Sequence, residues 1–312
     1  MAIVEIKIDK MERFADGQAF GEAGSYLRIR GIAKGEIDPA APGNSVITDL
    51  DKAPRNAHGM VEYGTDFFIL RPVNPRRASG VLVYDVTNRG RKMILNLLDD
   101  ASGNADTNNP KNPQDFGLGF TLGRGYSLVW SGWDSGAPRA NNGTTARLPP
   151  ALENGRPMVR RIRDQFHIGT RGPGKGDVVR LNYPAVSTDQ RGARLTMRYR
   201  ESDSRSEIPA GSWEFVDRQS IRLLPAGTHF APNKIYDLWY EATGSTVLGI
   251  GFAATRDLVS FLRNEHTDRK RDAESYDRGR QTGRPARSSA HARLRRFAGR
   301  SFSAAFPRTR HE

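Results

Sequence analysis

The most constraining feature of this chain is an apolar run at residues 80–87, which reads Gly-Val-Leu-Val-Tyr-Asp-Val-Thr. A continuous run of this length, bounded by turn residues, is typical of a strand buried on both faces of a parallel sheet. A second run of this kind spans residues 125–133, and residues 92–98 between them have a helical pattern. Strand, helix and strand at this spacing predict a βαβ unit.

The sequence on either side of this unit has a different texture. Short apolar stretches separated by Gly and Pro turns predict strands, mostly antiparallel in the later region. The fold class is therefore predicted as α/β with additional β-rich regions. The predicted parts are a β-rich N-terminal region (1–72), a core in two pieces (73–135 and 246–269), an inserted β-rich module (136–245) and a basic, disordered tail (270–312).

Residues 249–265 predict an amphipathic helix at the end of the core. Apolar residues recur there at spacings of three and four, which places them on one helix face. The predicted stripe consists of Leu248, Phe252, Thr255, Val259 and Leu262.

The tail differs sharply from the rest in composition. Its twelve basic and four acidic residues contribute +8 of the net charge of +13, and it contains a single Leu. A segment so poor in apolar residues cannot build a core. A strongly basic chain often has a nucleic-acid partner, but the body of this chain is only mildly basic, so that inference is weak here.

Several classes of site find no support in the sequence. Cysteine is absent, which excludes disulfides and thiol catalysis, and the six histidines show no paired metal-binding spacing. The start of the chain lacks the apolar segment of a signal peptide, and no apolar run reaches membrane-spanning length. We therefore expect a cytoplasmic protein with no metal, no other cofactor and no membrane partner.

Three short motifs are candidates for function, and each has a structural alternative. Asn88, Arg89 and Gly90 follow the first buried strand, where they form either an ordinary turn or a catalytic loop. Trp130 and Trp133 flank the end of the second strand, where they either contact substrate or pack. The string Gly-Ile-Gly-Phe-Ala-Ala at 249–254 matches a dinucleotide-binding pattern, but the small residues equally suit close packing of a helix on a sheet.

Several strings in order resemble one bacterial family of α/β-hydrolase-domain proteins, and the resemblance covers residues 1–269. They include Phe-Gly-Glu-Ala-Gly-Ser-Tyr at 20–26, residues 46–56, Asn-Arg-Gly at 88–90, residues 125–133, and residues 249–262. The resemblance implies esterase-like serine hydrolase chemistry on a small ester-like substrate, with a β-rich insertion in the core. It also implies that the 88–90 loop donates a backbone N–H to an oxyanion.

In that family, the helix matching residues 249–265 leads into the strand and the serine nucleophile, and the acid and histidine follow. Nothing in residues 270–312 matches these parts. Arg outnumbers Lys 39 to 9, as GC-rich coding DNA would give. Permitted codons for residues 292–312, read one nucleotide later, allow L-G-F-A-V-S-Q-A-G-R-F, which restores a nucleophile motif. A frameshift near residue 270 would therefore leave an inactive N-terminal part of a hydrolase, with an exposed apolar strand edge at residues 80–87 or beside it.

Two other functions stay open on the sequence. The tail would be a nucleic-acid or anionic-surface binding arm if Arg293, Arg295, Arg296 and Arg300 contact phosphates while Phe297 and Phe302 stack on bases. The β-rich regions would alternatively form a binding module without catalysis.

Overall fold

The fold is mixed and β-rich in this computed structural model, which describes residues 2–168 and 176–265, and the backbone of 301–305. The strands are β1 (Ile3–Arg13), β2 (Ala19–Phe20), β3 (Gly24–Ile37), β4 (Val61–Pro72), β5 (Val81–Val86), β6 (Ser127–Ser131), β7 (Ala146–Arg147), β8 (Leu152–Glu153), β9 (Arg156–Pro157), β10 (Val159–His167), β11 (Val178–Arg180), β12 (Arg194–Arg198), β13 (Ser206–Ile208), β14 (Trp213–Asp217), β15 (Ser220–Leu223), β16 (Ile235–Thr243) and β17 (Ser301–Ala305). The α-helices are α1 (Ile94–Leu98), α2 (Pro113–Phe116), α3 (Phe120–Gly123) and α4 (Ile250–Asn264).

The chain divides into two compact units. Unit 1 comprises Met1–Pro149 and Val247–Glu312, and unit 2 comprises Pro150–Thr246. The main sheet of unit 1 has the strand order β1-β3-β4-β6-β5-β17. Pairing is antiparallel from β1 to β6, whereas β5 is parallel to both β6 and β17.

The two apolar runs behave as the sequence predicts. They form β5 and β6, which are parallel neighbours, with Leu82 opposite Ser127 and Val86 opposite Ser131. Residues 82–85 of β5 are all buried, so side chains on both faces of this strand are shielded from water. Burial on both faces explains why the run is continuously apolar rather than alternating.

The predicted helix at 92–98 is shorter than expected, since α1 begins at Ile94. The N–H of Lys92 donates to Asn108 Oδ1 at 2.8 Å, and the N–H groups of Met93 and Ile94 donate to Asp85 Oδ2 at 2.8 and 3.0 Å. The side chains of Asn108 and Asp85 therefore accept hydrogen bonds from the N–H groups of residues 92–94, which precede or begin helix α1 and have no acceptor within it.

Helix α4 confirms the prediction of a helix, but only part of the predicted apolar stripe is buried. Leu248 and Phe252 of that stripe are 48% and 67% exposed. Leu262 of the stripe is buried, together with Ala254, Asp257, Leu258 and Phe261. A helical wheel cannot anticipate this face, because a tyrosine on β4 hydrogen-bonds the buried Asp257 while Phe252 stacks on a tryptophan outside the helix.

Unit 2 contains two larger sheets, with strand orders β10-β16-β12-β13 and β11-β15-β14. Alternate residues of β16 face its core, where Tyr236, Leu238 and Tyr240 pack with Leu195 and Trp213. This alternation is the pattern of antiparallel strands with one buried face.

The predicted disordered tail, 270–312, lies outside the described residues except for β17. In that strand, Ser301 pairs with Val81 and Ala305 pairs with Asp85, so the edge of β5 that the sequence predicts to be exposed carries a further strand. No helix in the described part of the chain has the length and apolar character to cross a membrane.

Candidate functional site

A tight turn at residues 88–91 follows β5 and forms the centre of the candidate site. The N–H of Asn88 donates to the carbonyl of Arg91 at 2.9 Å, and the N–H of Arg91 donates back at 3.1 Å. Arg89 and Gly90 have φ values of 47° and 89°. Two consecutive positive φ values in a two-residue loop are characteristic of a type I′ turn.

Gly90 is buried and has no space for a side chain. A Cβ on Gly90 would lie 2.8 Å from the carbonyl oxygen of Thr144. The N–H of Thr144 donates to the Gly90 carbonyl at 3.1 Å, which joins the turn to the segment that leads to β7. The turn is therefore held on one side by backbone contacts, and glycine is required by both conformation and space.

Arg89 projects from the turn into solvent and pairs with an acidic residue after β6. Its Nε lies 2.9 Å from Asp134 Oδ2, with the Arg89 side chain 63% exposed. Asp134 Oδ1 also accepts a hydrogen bond from the N–H of Gly136 at 2.7 Å. An ion pair this exposed contributes about 0–1 kcal/mol, so it orients the two loops more than it stabilises them.

The amides of Arg89 and Gly90 distinguish this turn chemically. Among the described residues neither N–H donates to a partner, whereas those of Asn88 and Arg91 are used within the turn. Neighbouring unpaired amides on a rigid turn can bind an anionic oxygen. Asn88, Arg89 and Gly90 thus form one turn, and within the described residues the amides of Arg89 and Gly90 have no acceptor.

Trp133 lies at the edge of this site. Its indole Nε1 donates to the carbonyl of Thr87 at 2.7 Å, and its ring stacks on Phe252 with centroids 5.5 Å apart. Trp133 is half-buried, while Phe252 is mostly exposed. The pair forms an aromatic surface anchored to the residue immediately before the turn.

Trp130 lies elsewhere, inside the core of unit 1. It is 0% exposed, and its indole Nε1 donates to Asp85 Oδ2 at 2.7 Å. Its ring packs edge-on against Phe68. A side chain with no exposed surface cannot contact a bound molecule, so packing accounts for Trp130 and the structure does not bring it together with Trp133.

Lys92 is a residue that sequence reasoning missed. It is 1% exposed, and its Nζ donates to the carbonyls of Asn108 and Asn142 at 2.6 and 3.1 Å. Burial lowers the pKa of Lys92 to about 7. Its position directly after a turn gives no sequence signal, because a lysine there is normally exposed.

The glycines of the dinucleotide-like string serve packing. A Cβ on Gly251 would lie 1.9 Å from the carbonyl oxygen of Trp133, and one on Gly249 would lie 3.1 Å from Ile47 Cγ2. Glycine therefore lets the start of α4 approach the segment after β6. In the part of the chain that the structure describes, no three His, Asp or Glu residues form a group that could hold a metal ion.

Comparison of the chain with models of protein families, with curated proteins and with solved structures found no match.

Proposed function

We propose that this chain is the N-terminal part of an esterase-like serine hydrolase with an α/β-hydrolase core, and that the sequence as it stands has no esterase activity. The 88–91 turn, with its two free amides at the carboxyl end of β5, carries this proposal. In an active form of the protein, the amide of Arg89 or Gly90 would stabilise the oxyanion that forms when a serine attacks an ester carbonyl.

The position of the turn in the sheet supports the proposal. β5 has a parallel neighbour on each side. The next strand in the sequence, β6, lies on one side of β5, and the last strand, β17, lies on the other, so the strand order reverses at β5. Ligands in parallel sheets bind outside the carboxyl ends of strands at such a reversal of strand order. The 88–91 turn follows β5 at that point.

The reading frame that encodes residues 270–312 also bears on the missing serine. Residues 270–312 contain no nucleophile motif, whereas the next reading frame allows one. We infer that in the frame-restored chain a strand leading to the serine pairs with β5, at the edge that Ser301–Ala305 covers here. The acid and the histidine would follow that serine in the same frame.

The test compares the chain as given with a frame-restored chain. Hydrolysis of p-nitrophenyl butyrate should stay at background for residues 1–312 and rise at least a hundredfold above it after frame restoration. Substitution of the restored serine by alanine should remove the gain. The nucleotide sequence after codon 270 provides an independent check, because absence of a serine motif followed by an acid and a histidine in the next frame would sink the proposal.

A further inference from the structure

A cleft in unit 2 has features of a small-molecule site. It has a volume of about 520 Å³, which lies within the usual range for such sites. Two aromatic residues of the unit 2 core, Phe215 and Tyr240, line it and are 8% and 1% exposed. Val186 and Ala193 add further apolar surface. Because the two aromatic side chains are almost fully buried, Val186 and Ala193 supply most of the accessible apolar surface of the cleft.

Backbone and side-chain hydrogen bonds hold the loop over this cleft in place. The N–H of Val186 donates to the carbonyl of Glu241 at 2.9 Å. The N–H of Ala193 donates to the carbonyl of Gln190 at 2.9 Å. Asp189 accepts from the N–H of Arg191 at 2.9 Å and pairs with its guanidinium. A loop ordered before a ligand arrives costs less entropy on binding.

The rim carries two opposite charges without a partner in the part of the chain that the structure describes. Arg161 on β10 and Glu241 on β16 are direct cross-strand partners, and both line the cleft. Opposite charges in this relation normally interact. Yet neither side chain has a hydrogen-bond or ion-pair partner among the described residues.

Several other charges on the same sheet have an ion-pair partner, in contrast to the two rim residues. Asp237 is fully buried and lies within 4 Å of Arg163, Arg198 and Arg205. Arg194 pairs with Glu207 at 3.3 Å. The charges of Asp189 and Arg191 also cancel within the loop, so one cation and one anion at the cleft have no partner among residues 2–168 and 176–265.

We propose that this cleft binds a small zwitterion, a molecule with a carboxylate and an ammonium group close together on an apolar body. Arg161 binds the carboxylate, because a guanidinium matches a carboxylate with two parallel hydrogen bonds. Glu241 accepts hydrogen bonds from the ammonium group, and the apolar body packs on Val186 and Ala193. This site lies within unit 2 and is independent of the proposed esterase chemistry.

The experiment is isothermal titration calorimetry on the full chain with L-phenylalanine and L-leucine as probes. Both should bind, whereas 3-phenylpropionate, which lacks the ammonium group, and phenethylamine, which lacks the carboxylate, should bind roughly tenfold to a hundredfold more weakly. Failure of both amino acids to bind, or equally tight binding of 3-phenylpropionate, would overturn the proposal.

Variants assign the two charges separately. Arg161→Gln should lower the affinity for L-phenylalanine by roughly tenfold or more, so that L-phenylalanine no longer binds more tightly than phenethylamine. In Glu241→Gln, L-phenylalanine should instead no longer bind more tightly than 3-phenylpropionate. Arg156→Gln, in the exposed β8–β9 hairpin of the same unit, is the matched control and should bind as the unmodified chain does. Unchanged ligand preferences in both rim variants would contradict the assignment even if binding occurs.

Discussion

The hydroxyl of Tyr63 on β4 donates a 2.9 Å hydrogen bond to Asp257 Oδ2 on α4, although 194 positions separate them in the chain. Both residues are buried, and Tyr63 lies across from Gly35 on β3, where a Cβ would lie 2.2 Å from the tyrosine ring. Burial, followed by the nearby Asp257 charge, raises the pKa of Tyr63. The tyrosine therefore stays protonated and ties the helix to the sheet.

Replacing Tyr63 with phenylalanine should destabilise unit 1. The change removes one donor from a buried carboxylate, which costs about 1–3 kcal/mol. Urea denaturation should show a lower midpoint for Tyr63→Phe. Tyr126→Phe is the control, because no described hydrogen bond involves the Tyr126 hydroxyl. Equal midpoints for the two variants would show that the bond to Asp257 adds no stability.

Lys92 should make the stability depend on pH. Its pKa in the folded chain is lowered to about 7, chiefly by burial, with Arg30 lowering it and Asp106, Asp85 and Asp66 opposing that shift. An unfolded lysine titrates near 10.4, so between about pH 7 and 10 the unfolded chain binds more protons. The free energy of unfolding should therefore rise with pH in this window, by on the order of 4 kcal/mol.

Lys92→Met should remove this rise. Urea denaturation at several pH values between 7 and 10 should give a flatter profile for the variant than for the unmodified chain. Lys111→Met replaces an exposed lysine and should keep the slope. A slope unaltered by Lys92→Met would mean that another group titrates in this window.

Gly90→Ala should destabilise the 88–91 turn for two separate reasons. The positive φ costs a side-chain residue about 1–2 kcal/mol, and the new Cβ would also meet the Thr144 carbonyl at 2.8 Å. Gly59→Ala isolates the first cost, since Gly59 has φ +74° with no atom within 4 Å of a Cβ. The melting temperature should fall further for Gly90→Ala, and equal losses would argue against the close contact.

Gly251→Ala should loosen the start of α4. A Cβ there would lie 1.9 Å from the Trp133 carbonyl, so the helix must move and the stack of Trp133 on Phe252 should weaken. Aromatic pairs of this kind contribute about 0.5–1.5 kcal/mol. We expect a change in Trp fluorescence and a lower melting temperature.

The matched control is Gly123→Ala at the end of α3, where nothing lies within 4 Å of a Cβ. That substitution should be neutral or stabilise by about 0.4–1 kcal/mol, because alanine restricts the unfolded chain more than glycine does. The same effect at both glycines would mean that helix propensity, and not contact with Trp133, decides the outcome.

The elements that could be predicted are those with a local signal. β5, β6 and α4 follow from apolar runs and from helical periodicity, and the turn after β5 follows from Asn-Arg-Gly. The buried face of α4 could not be predicted, because it includes Asp257, whose hydrogen-bond partner Tyr63 lies on the distant strand β4. Of the candidate site residues, 88–90 follow Thr87, to which Trp133 donates a hydrogen bond, and Trp130 lies in the core; the roles of residues 88–90 and Trp133 stay a prediction.

The positions of the strands and turns follow from local sequence, because apolar patterning and turn residues act over a few neighbouring positions. The close backbone contacts that leave no space for a side chain at Gly90 and Gly251 cannot be read from the sequence. Packing between distant segments decides which amides of the 88–91 turn lack a partner among the described residues, how Lys92 is buried, and that Arg161 and Glu241 line one cleft. These properties depend on distances between segments far apart in the chain, and no local pattern encodes such distances.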